Sequence, residues 1–230
     1  MSKQVVIERI QNALKRHPIA HENLPYQNMI TDAKADLIEQ YKHLQELNRS
    51  QLSECTKEDL ATAIQEALKG FETQKLLCAT NLPCPLEELD PQNLYQKIPY
   101  DRPVEAFKEE LFNIDTAILE AACGVANLGI VGIASSKFAP RLTSLITLKC
   151  VILLDKSKIV QNLAQGLEAL KEAGPLLEPV EEGVKMRDCD LKRRLPTNML
   201  FIGGPSRTAD IELQTVFGVH GPMATHVILY

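Results

Sequence analysis

Three apolar runs in the middle of the chain decide its fold: Thr116-Ala-Ile-Leu-Glu-Ala-Ala-Cys123, Ile130-Val-Gly-Ile-Ala134 and Lys149-Cys-Val-Ile-Leu-Leu154. Turn-forming or polar residues separate them. Apolar runs of this length, with little alternation, are typical of strands that are buried on both faces of a sheet. Two more strands are predicted at residues 198–203 and 225–229, so the second half of the chain is expected to build a sheet.

Amphipathic helical patterns are interspersed with these strands. Residues 57–68 and 157–172 carry apolar side chains at helical spacing, and a glycine follows each pattern, Gly70 in the first case and Gly174 in the second. Strands that alternate with helices indicate a largely parallel α/β sheet. In such sheets, ligands bind beyond the carboxyl ends of the strands, and the turn after residue 202 is expected to lie at such an end.

The first 50 residues differ from the rest of the chain. Helical patterns at Ser2–Arg16 and Thr31–Asn48 predict two helices joined by a polar connector. We therefore divide the chain into an N-terminal helical arm, residues 1–50, and an α/β domain, residues 51–230. An arm of this kind more often packs on its own domain or contacts another subunit than it takes part in catalysis.

The composition of the chain is that of an ordinary soluble protein. Of its 230 residues, 45% are hydrophobic and 24% are charged, and the net charge is −5. A negative net charge without a basic cluster disfavours nucleic-acid binding. The longest apolar run has the length of a strand, not of a membrane span, and the N-terminal residues carry charges within their apolar pattern. These features predict a cytoplasmic protein without a membrane span.

The cysteines do not predict a metal site. They are Cys55, Cys78, Cys84, Cys123, Cys150 and Cys189, and no two of them form a Cys-x-x-Cys pair or an iron–sulfur spacing. Cys123 and Cys150 lie in strand-like apolar runs, which favours a role as small core residues.

The most distinctive segment is Phe201-Ile-Gly-Gly-Pro-Ser-Arg-Thr-Ala-Asp-Ile-Glu-Leu-Gln-Thr-Val-Phe-Gly-Val-His-Gly-Pro222. It predicts a strand that ends in a glycine turn, a helix that begins near residues 206–208 and continues over residues 210–216, and a second glycine turn around His220. The start of a helix attracts anions because its first amide groups lack partners. The same pattern also fits an ordinary turn followed by a capped helix, and the residues alone leave both interpretations open.

Under the first interpretation, the glycine turn and its neighbours hold an anionic group, either a carboxylate or a phosphate. The residues expected to contact it are Gly203, Gly204, Ser206, Arg207 and Thr208, with Arg141 as a further cation. The candidate catalytic residues are Asp210, Glu212 and His220, of which His220 could act as a general acid or base. Glu120 lies within an apolar run and is a second candidate carboxylate, although a position at the edge of a strand would explain it equally well.

Two blocks of this segment, Gly204-Pro-Ser-Arg-Thr-Ala-Asp-Ile-Glu212 and Gly218-Val-His-Gly-Pro222, closely resemble the C-terminal signature of the LUD-domain family, in particular its LutC/YkgG lactate-utilisation branch. Weaker support comes from Gly124-Val-Ala126 and Arg141-Leu-Thr-Ser-Leu145, which stand in the expected order upstream. The Glu-Arg-Ile-x-x-Ala-Leu pattern of the first helix also resembles the start of the family.

The resemblance implies a three-layer, Rossmann-like α/β fold with a mostly parallel sheet, similar to that of the NagB/RpiA/CoA-transferase group, with an N-terminal helical extension. It also implies a role in the oxidation of L-lactate to pyruvate, together with LutA-like and LutB-like proteins. In such a complex the iron–sulfur clusters belong to a partner subunit, so no cofactor is expected on this chain. A homo-oligomer is compatible with the same resemblance.

The chain departs from the family pattern in one segment. The family usually has Ala-Glu-Thr-Gly-Thr where this sequence has Ala126-Asn-Leu-Gly-Ile130, so an acidic residue and two hydroxyl groups are replaced. The family's Leu-Leu-Pro likewise becomes Leu145-Ile-Thr147. Two alternatives to a lactate-oxidising subunit therefore stay open: a non-catalytic scaffold or regulatory subunit, and a stand-alone CoA-transferase-like enzyme that uses Glu120.

Overall fold

The structure is a computed structural model, and it describes residues 3–16, 32–33, 36–174, 194–209 and 215–230. The α-helices in these ranges are α1 (Lys3–Arg16), α2 (Leu37–Leu47), α3 (Leu60–Gly70), α4 (Leu86–Leu89), α5 (Lys108–Leu111) and α6 (Leu163–Glu172). Short 3-10 helices lie at Val104–Ala106, Arg141–Ser144 and Lys156–Lys158. The strands are β1 (Gln51–Glu54), β2 (Lys75–Cys78), β3 (Gln96–Pro99), β4 (Thr116–Glu120), β5 (Cys123–Val125), β6 (Ile130–Ala134), β7 (Lys149–Leu154), β8 (Ile159–Val160), β9 (Met199–Ile202), β10 (Arg207–Ala209), β11 (Thr215–Phe217) and β12 (Ala224–Leu229).

Six of the strands form a parallel sheet in the order β1-β12-β7-β4-β2-β3. The predicted α/β class with a mostly parallel sheet is thereby confirmed. β7 and β4 lie at the centre of this sheet, and every residue of β7 after Lys149 is buried. Burial on both faces explains why the sequence of β7 is apolar throughout and does not alternate.

Successive side chains of the parallel strands pack against different layers. On one face, Ile118 of β4 belongs to the same core cluster as Leu60 of α3. On the other face, Leu119 of β4 belongs to a cluster with Tyr41 of α2 and Ile133 of β6. The parallel sheet is therefore a middle layer, with α3 on one side and with α2 and further strands on the other.

A second, four-stranded sheet lies on the α2 side, in the order β8-β5-β6-β9. β6 is antiparallel to both β5 and β9, whereas β5 and β8 are parallel. The strand predicted at residues 116–123 is divided between the two sheets, because Glu120 ends β4 and Cys123 begins β5. α6 packs on the second sheet, where the Sγ of Cys123 lies 3.6 Å from the carbonyl oxygen of Gly166.

α6 begins later than its helical pattern predicts. Asn162 caps it, since the Oδ1 of Asn162 accepts a hydrogen bond from the backbone N–H of Gln165 at 3.1 Å. The preceding residues form the 3-10 helix Lys156–Lys158 and then β8, whose main chain pairs with β5. Pairing within the sheet thus overrides the local preference for helix.

The N-terminal helices have different surroundings. Asp36 caps α2 through hydrogen bonds of 3.1 Å from the backbone N–H groups of Ile38 and Glu39, and the predicted start at Thr31 lies outside the described residues. Tyr41 of α2 is fully buried against the domain. α1 carries exposed apolar side chains, such as that of Ile10. Within the described ranges, every helix is too short or too polar to cross a lipid bilayer.

Candidate functional site

The segment after β9 is an extended ribbon where the sequence predicts the start of a helix. β10 and β11 pair antiparallel, with Arg207 opposite Phe217 and Thr208 opposite Val216. The predicted helix start at residues 206–208 is therefore wrong, and so is the end of the predicted helix at residues 215–216. The candidate catalytic residues Asp210 and Glu212 lie outside the described residues. An anion site built on helical amide groups has no basis at residues 206–209, because their backbone is not helical.

Ser206 joins the two glycine turns of this segment. Its N–H donates to the carbonyl oxygen of Pro222 at 2.8 Å, and its carbonyl oxygen accepts from the N–H of Gly218 at 3.0 Å. Its Oγ accepts from the N–H of His220 at 3.2 Å. The structure thus brings Ser206 and the backbone of His220 together. The His220 side chain is exposed.

Arg207 and Thr208 lie beside this junction with exposed side chains. Among the described residues, the Arg207 guanidinium makes a single hydrogen bond, and this bond is long. Its Nη2 donates to the carbonyl oxygen of Gly203 at 3.4 Å. An exposed guanidinium can bind a carboxylate or a phosphate in the two-pronged manner typical of arginine.

Asn48, which the sequence did not indicate, connects the first glycine turn to the β5–β6 hairpin. Its Nδ2 donates to the carbonyl oxygens of Leu128 at 3.0 Å and of Gly129 at 2.7 Å. Its own carbonyl oxygen lies where a Cβ on Gly204 would be placed. An Asn at the end of a helical pattern is a recognisable cap signal. Its partners cannot be found from one sequence, because the hairpin lies about 80 residues away along the chain and Gly204 lies about 156 residues away.

The glycine turns lie at the amino edge of the parallel sheet. The N–H of Met223 donates to the carbonyl oxygen of Leu148 at 2.8 Å, just before β12 and β7 begin. The expectation that the Gly203 turn lies at the carboxyl end of the parallel sheet is wrong, because β9 belongs to the second sheet. Position in the fold therefore does not mark this turn as a ligand site in the way that the carboxyl edge is marked.

Arg141 has different neighbours from Arg207. It lies in the 3-10 helix Arg141–Ser144, near Tyr100. Burial and the charge of Glu105 raise the pKa of Tyr100, and the positive charge of Arg141 opposes this rise. Within the described residues, no contact places Arg141 at the glycine turn, so its predicted share in one anion site stays a prediction.

The carboxyl edge of the parallel sheet carries a cluster of charged and hydroxyl side chains around Glu120, the last residue of β4. The Oε1 of Glu120 accepts from the Nζ of Lys158 at 2.5 Å and from the hydroxyl of Tyr230 at 3.0 Å. Burial, followed by the negative charge of Glu120, raises the pKa of Tyr230 well above its ordinary value. The Tyr230 hydroxyl therefore stays protonated and keeps donating to the carboxylate.

A cleft of about 450 Å³ lies at the same edge, beyond the carboxyl ends of β2 and β3. Proline and aliphatic side chains make up most of its wall, and Thr80 and Cys84 are its polar or reactive groups. Cys84 is half-buried and close enough to Tyr230 for its charge to affect the pKa of that residue. In the part of the chain that the structure describes, no three side chains of His, Cys, Asp or Glu are grouped as a metal site.

Comparisons with known proteins give a consistent picture of what this chain is similar to. The model of the LUD domain family matches residues 38–230. An uncharacterized protein of Neisseria meningitidis is 34% identical over 128 residues, which are 55% of this chain and 47% of that protein. Lactate utilization protein C of Bacillus subtilis is 30% identical over 122 residues, 53% of this chain and 44% of that protein. The chain thus spans about half the length of the curated relatives that it matches.

A solved structure supports the fold. A DUF162 family protein from Deinococcus radiodurans superposes with a TM-score of 0.58 at 17% identity, over 86% of this chain and 98% of that one. At this level of identity, the likeness concerns the arrangement of helices and strands only.

Proposed function

Because the chain belongs to the LUD domain family, we propose that it serves lactate utilisation, as a subunit similar to lactate utilization protein C in a complex that oxidises L-lactate to pyruvate. The observation that carries this proposal is the similarity to proteins of that name at about 30% identity. The partners would be LutA-like and LutB-like proteins, which supply the iron–sulfur clusters and accept the electrons of the oxidation.

The arrangement of the signature segments supports one functional unit. Ser206 joins the two blocks that carry the family resemblance through three backbone and side-chain hydrogen bonds. Asn48 joins the first of these blocks to the hairpin that contains Gly129. Segments far apart in the sequence therefore meet in one place, as expected when they serve a shared purpose.

At this place, the group best suited to bind an anion is the exposed guanidinium of Arg207. In our proposal, this guanidinium takes the anion-binding role that the sequence analysis gave to helical amide groups. The turn around it is formed by Gly203, Gly204, Ser206 and Thr208, and His220 lies beside it. The ligand would be a carboxylate or a phosphate. Replacement of Arg207 by Ala should weaken such binding at least tenfold, because the ligand would lose the charged donors of the guanidinium.

Two of the cysteines suit packing better than cluster ligation. Cys78 and Cys150 are buried, and burial raises the pKa of each thiol to about 12. A metal ligand must be a thiolate, which such surroundings disfavour. We therefore place the iron–sulfur chemistry in the partner proteins.

A specific observation favours a second candidate, a non-catalytic scaffold. The segment Ala126–Ile130, in which the family's acidic and hydroxyl residues are replaced, gives two of its carbonyl oxygens to Asn48. These bonds serve packing between α2 and the hairpin, and they need no catalytic side chain. In this case the chain would bind the partners but no substrate.

Genetics and pull-down together test the proposal. Deletion of the gene should abolish growth on L-lactate as the sole carbon source but leave growth on pyruvate intact. The tagged chain should capture an iron–sulfur protein from lysate of lactate-grown cells. Normal growth of the deletion strain, in a host without another lactate oxidase, would contradict the proposal. Rescue of the strain by the Arg207→Ala variant would favour the scaffold.

A further inference from the structure

Three structural elements converge on one carboxylate at the carboxyl edge of the parallel sheet. Glu120 ends the central strand β4, Tyr230 follows β12, and Lys158 ends the 3-10 helix that follows β7. Ligands of parallel α/β sheets bind beyond this edge, because it collects the loops that follow the strands. The sequence singled out Glu120 as a second candidate carboxylate, and the glycine turns, at the opposite edge, do not use it.

The hydrogen bonds of this cluster leave one side of the carboxylate open. Lys158 and Tyr230 both donate to Oε1, and Oε2 has no partner among the described residues. The side chain of Glu120 is 20% exposed to solvent, and that of Lys158 is 41% exposed. Tyr230 itself is only 9% exposed. The carboxylate is thus oriented by a buried neighbour, while its second oxygen can accept a hydrogen bond from a ligand.

Lys158 adds a positive charge next to this open acceptor. Its ammonium group has three N–H donors, of which the Glu120 bond uses one. A ligand that fits both groups must donate a hydrogen bond to Oε2 and offer an anionic oxygen to Lys158. A simple carboxylate meets only the second demand and is repelled by Glu120. A hydroxyl group next to a carboxylate meets both.

A second charge pair at this edge, around Glu54, is arranged differently. Glu54, at the end of β1, is bonded through both oxygens, with Oε1 to Lys156 at 3.2 Å and Oε2 to Lys42 at 3.0 Å. Both of its oxygens are therefore satisfied. Of these two carboxylates, only Glu120 has an oxygen beside a cation that lacks a partner among the described residues.

We propose that Glu120, Lys158 and Tyr230 form a binding site for a small 2-hydroxycarboxylate at the carboxyl edge of the parallel sheet. The hydroxyl group of the ligand donates to the Oε2 of Glu120, and its carboxylate accepts from Lys158. Tyr230 is a positioning residue that holds Glu120. This inference rests on the proposed role in lactate utilisation for the choice of L-lactate as the probe, and it adds a second site that is distinct from the anion site proposed at Arg207.

Calorimetric titration of the purified full chain with L-lactate tests this site. We expect binding by the wild type, and at least tenfold weaker binding by Glu120→Gln and by Lys158→Gln. Glu54→Gln, which removes the neighbouring charge pair, should keep the wild-type affinity. Propionate, which lacks the hydroxyl group, should bind at least tenfold more weakly than L-lactate, since Oε2 would lose its donor. Far-UV circular dichroism and thermal melting establish that each variant is folded.

The outcomes separate this site from the proposed function. If Glu120→Gln keeps wild-type affinity, if Arg207→Ala abolishes binding while Glu120→Gln does not, or if the wild type does not bind L-lactate, the site is refuted. None of these results touches the proposed function, which the growth of the deletion strain decides. Conversely, binding that depends on Glu120, in a protein whose deletion leaves growth on L-lactate normal, would support the site and refute the function.

Discussion

Asn48 and Gly204 approach each other so closely that no side chain fits between them. A Cβ on Gly204 would overlap the carbonyl oxygen of Asn48, and the φ of Gly204 is +84°, in the left-handed region. Two independent reasons therefore require glycine at this position, and both follow from the packing of the turn against the end of α2. Because Asn48 also holds the β5–β6 hairpin, the signature turn and the hairpin depend on the same helix end.

Gly204→Ala should destabilise the protein by more than about 2 kcal/mol, since the left-handed conformation alone costs about 1–2 kcal/mol for a residue with a Cβ. Urea denaturation of the purified protein measures the change. Gly70→Ala is the matched control, because a Cβ at Gly70 would meet nothing within 4 Å. The control should stabilise the protein by about 0.4–1 kcal/mol. Equal stability of Gly204→Ala and the wild type would show that the turn does not pack as described.

Asn48→Ala should cost about 1–3 kcal/mol, because it leaves the carbonyl oxygen of the buried Gly129 without its donor. Asn113→Ala is the comparison, since Asn113 makes one exposed hydrogen bond, to the carbonyl oxygen of Glu109. It should change the free energy of unfolding by less than about 0.5 kcal/mol. Unfolding curves of both variants give the answer, and a loss in Asn113→Ala as large as that in Asn48→Ala would contradict the assigned role.

The class of the fold follows from the sequence because buried parallel strands have a distinctive composition. β7 and β12 are rich in apolar residues and were predicted within one residue of their observed ends, whereas the run that contains β4 was predicted to continue three residues beyond Glu120. β6 has the same apolar character but belongs to the antiparallel sheet. A run of apolar residues indicates that a strand is buried on both faces. It does not indicate which neighbouring strand pairs with it, or in which direction.

The candidate site was less predictable, for reasons visible at single residues. Ser206 followed by polar residues has the composition of a helix cap, yet its backbone and Oγ bond to residues 218–222 instead. β10 and β11 are short and largely exposed. Their sequences therefore lack the alternation of apolar and polar residues from which a strand is predicted. Glu120 was noticed because a carboxylate within an apolar run is costly, but its partners, Lys158 and Tyr230, come from distant parts of the chain.

The cysteines should differ in their reaction with iodoacetamide at pH 8. Cys78, Cys123 and Cys150 are buried, and burial raises the pKa of the Cys123 thiol to about 11 and that of each of the other two to about 12. They should react only after the protein unfolds. Cys55 and Cys84 are half-buried and should react in the native state. Peptide mapping by mass spectrometry after timed alkylation distinguishes the two groups, and rapid modification of Cys150 in the folded protein would contradict its place in the core.

His226 should make the protein less stable in mild acid. Burial lowers the pKa of His226, whose Nε2 lies 2.9 Å from the Oγ of Ser53 and whose ring packs edge-on against Phe71. In the unfolded chain the imidazole takes up a proton near its ordinary pKa of about 6.5. The unfolded state therefore binds more protons than the folded state as the pH falls below that value. Stability contributed by neutral His226 is present above about pH 6.5 and is lost progressively as the pH falls through the lower pKa of the folded state, by at most about 1.4 kcal/mol per pH unit.

Removal of the imidazole should therefore flatten the dependence of stability on pH. His226→Gln lowers stability at pH 7, because it disturbs the contacts with Ser53 and Phe71, but its free energy of unfolding should fall less between pH 7 and pH 5 than that of the wild type. Urea titrations at these two values measure the difference for each protein. His43→Gln is the control, since the side chain of His43 is exposed on α2, and it should keep the wild-type slope. The same slope in His226→Gln and the wild type would mean that another group is responsible for the loss of stability in acid.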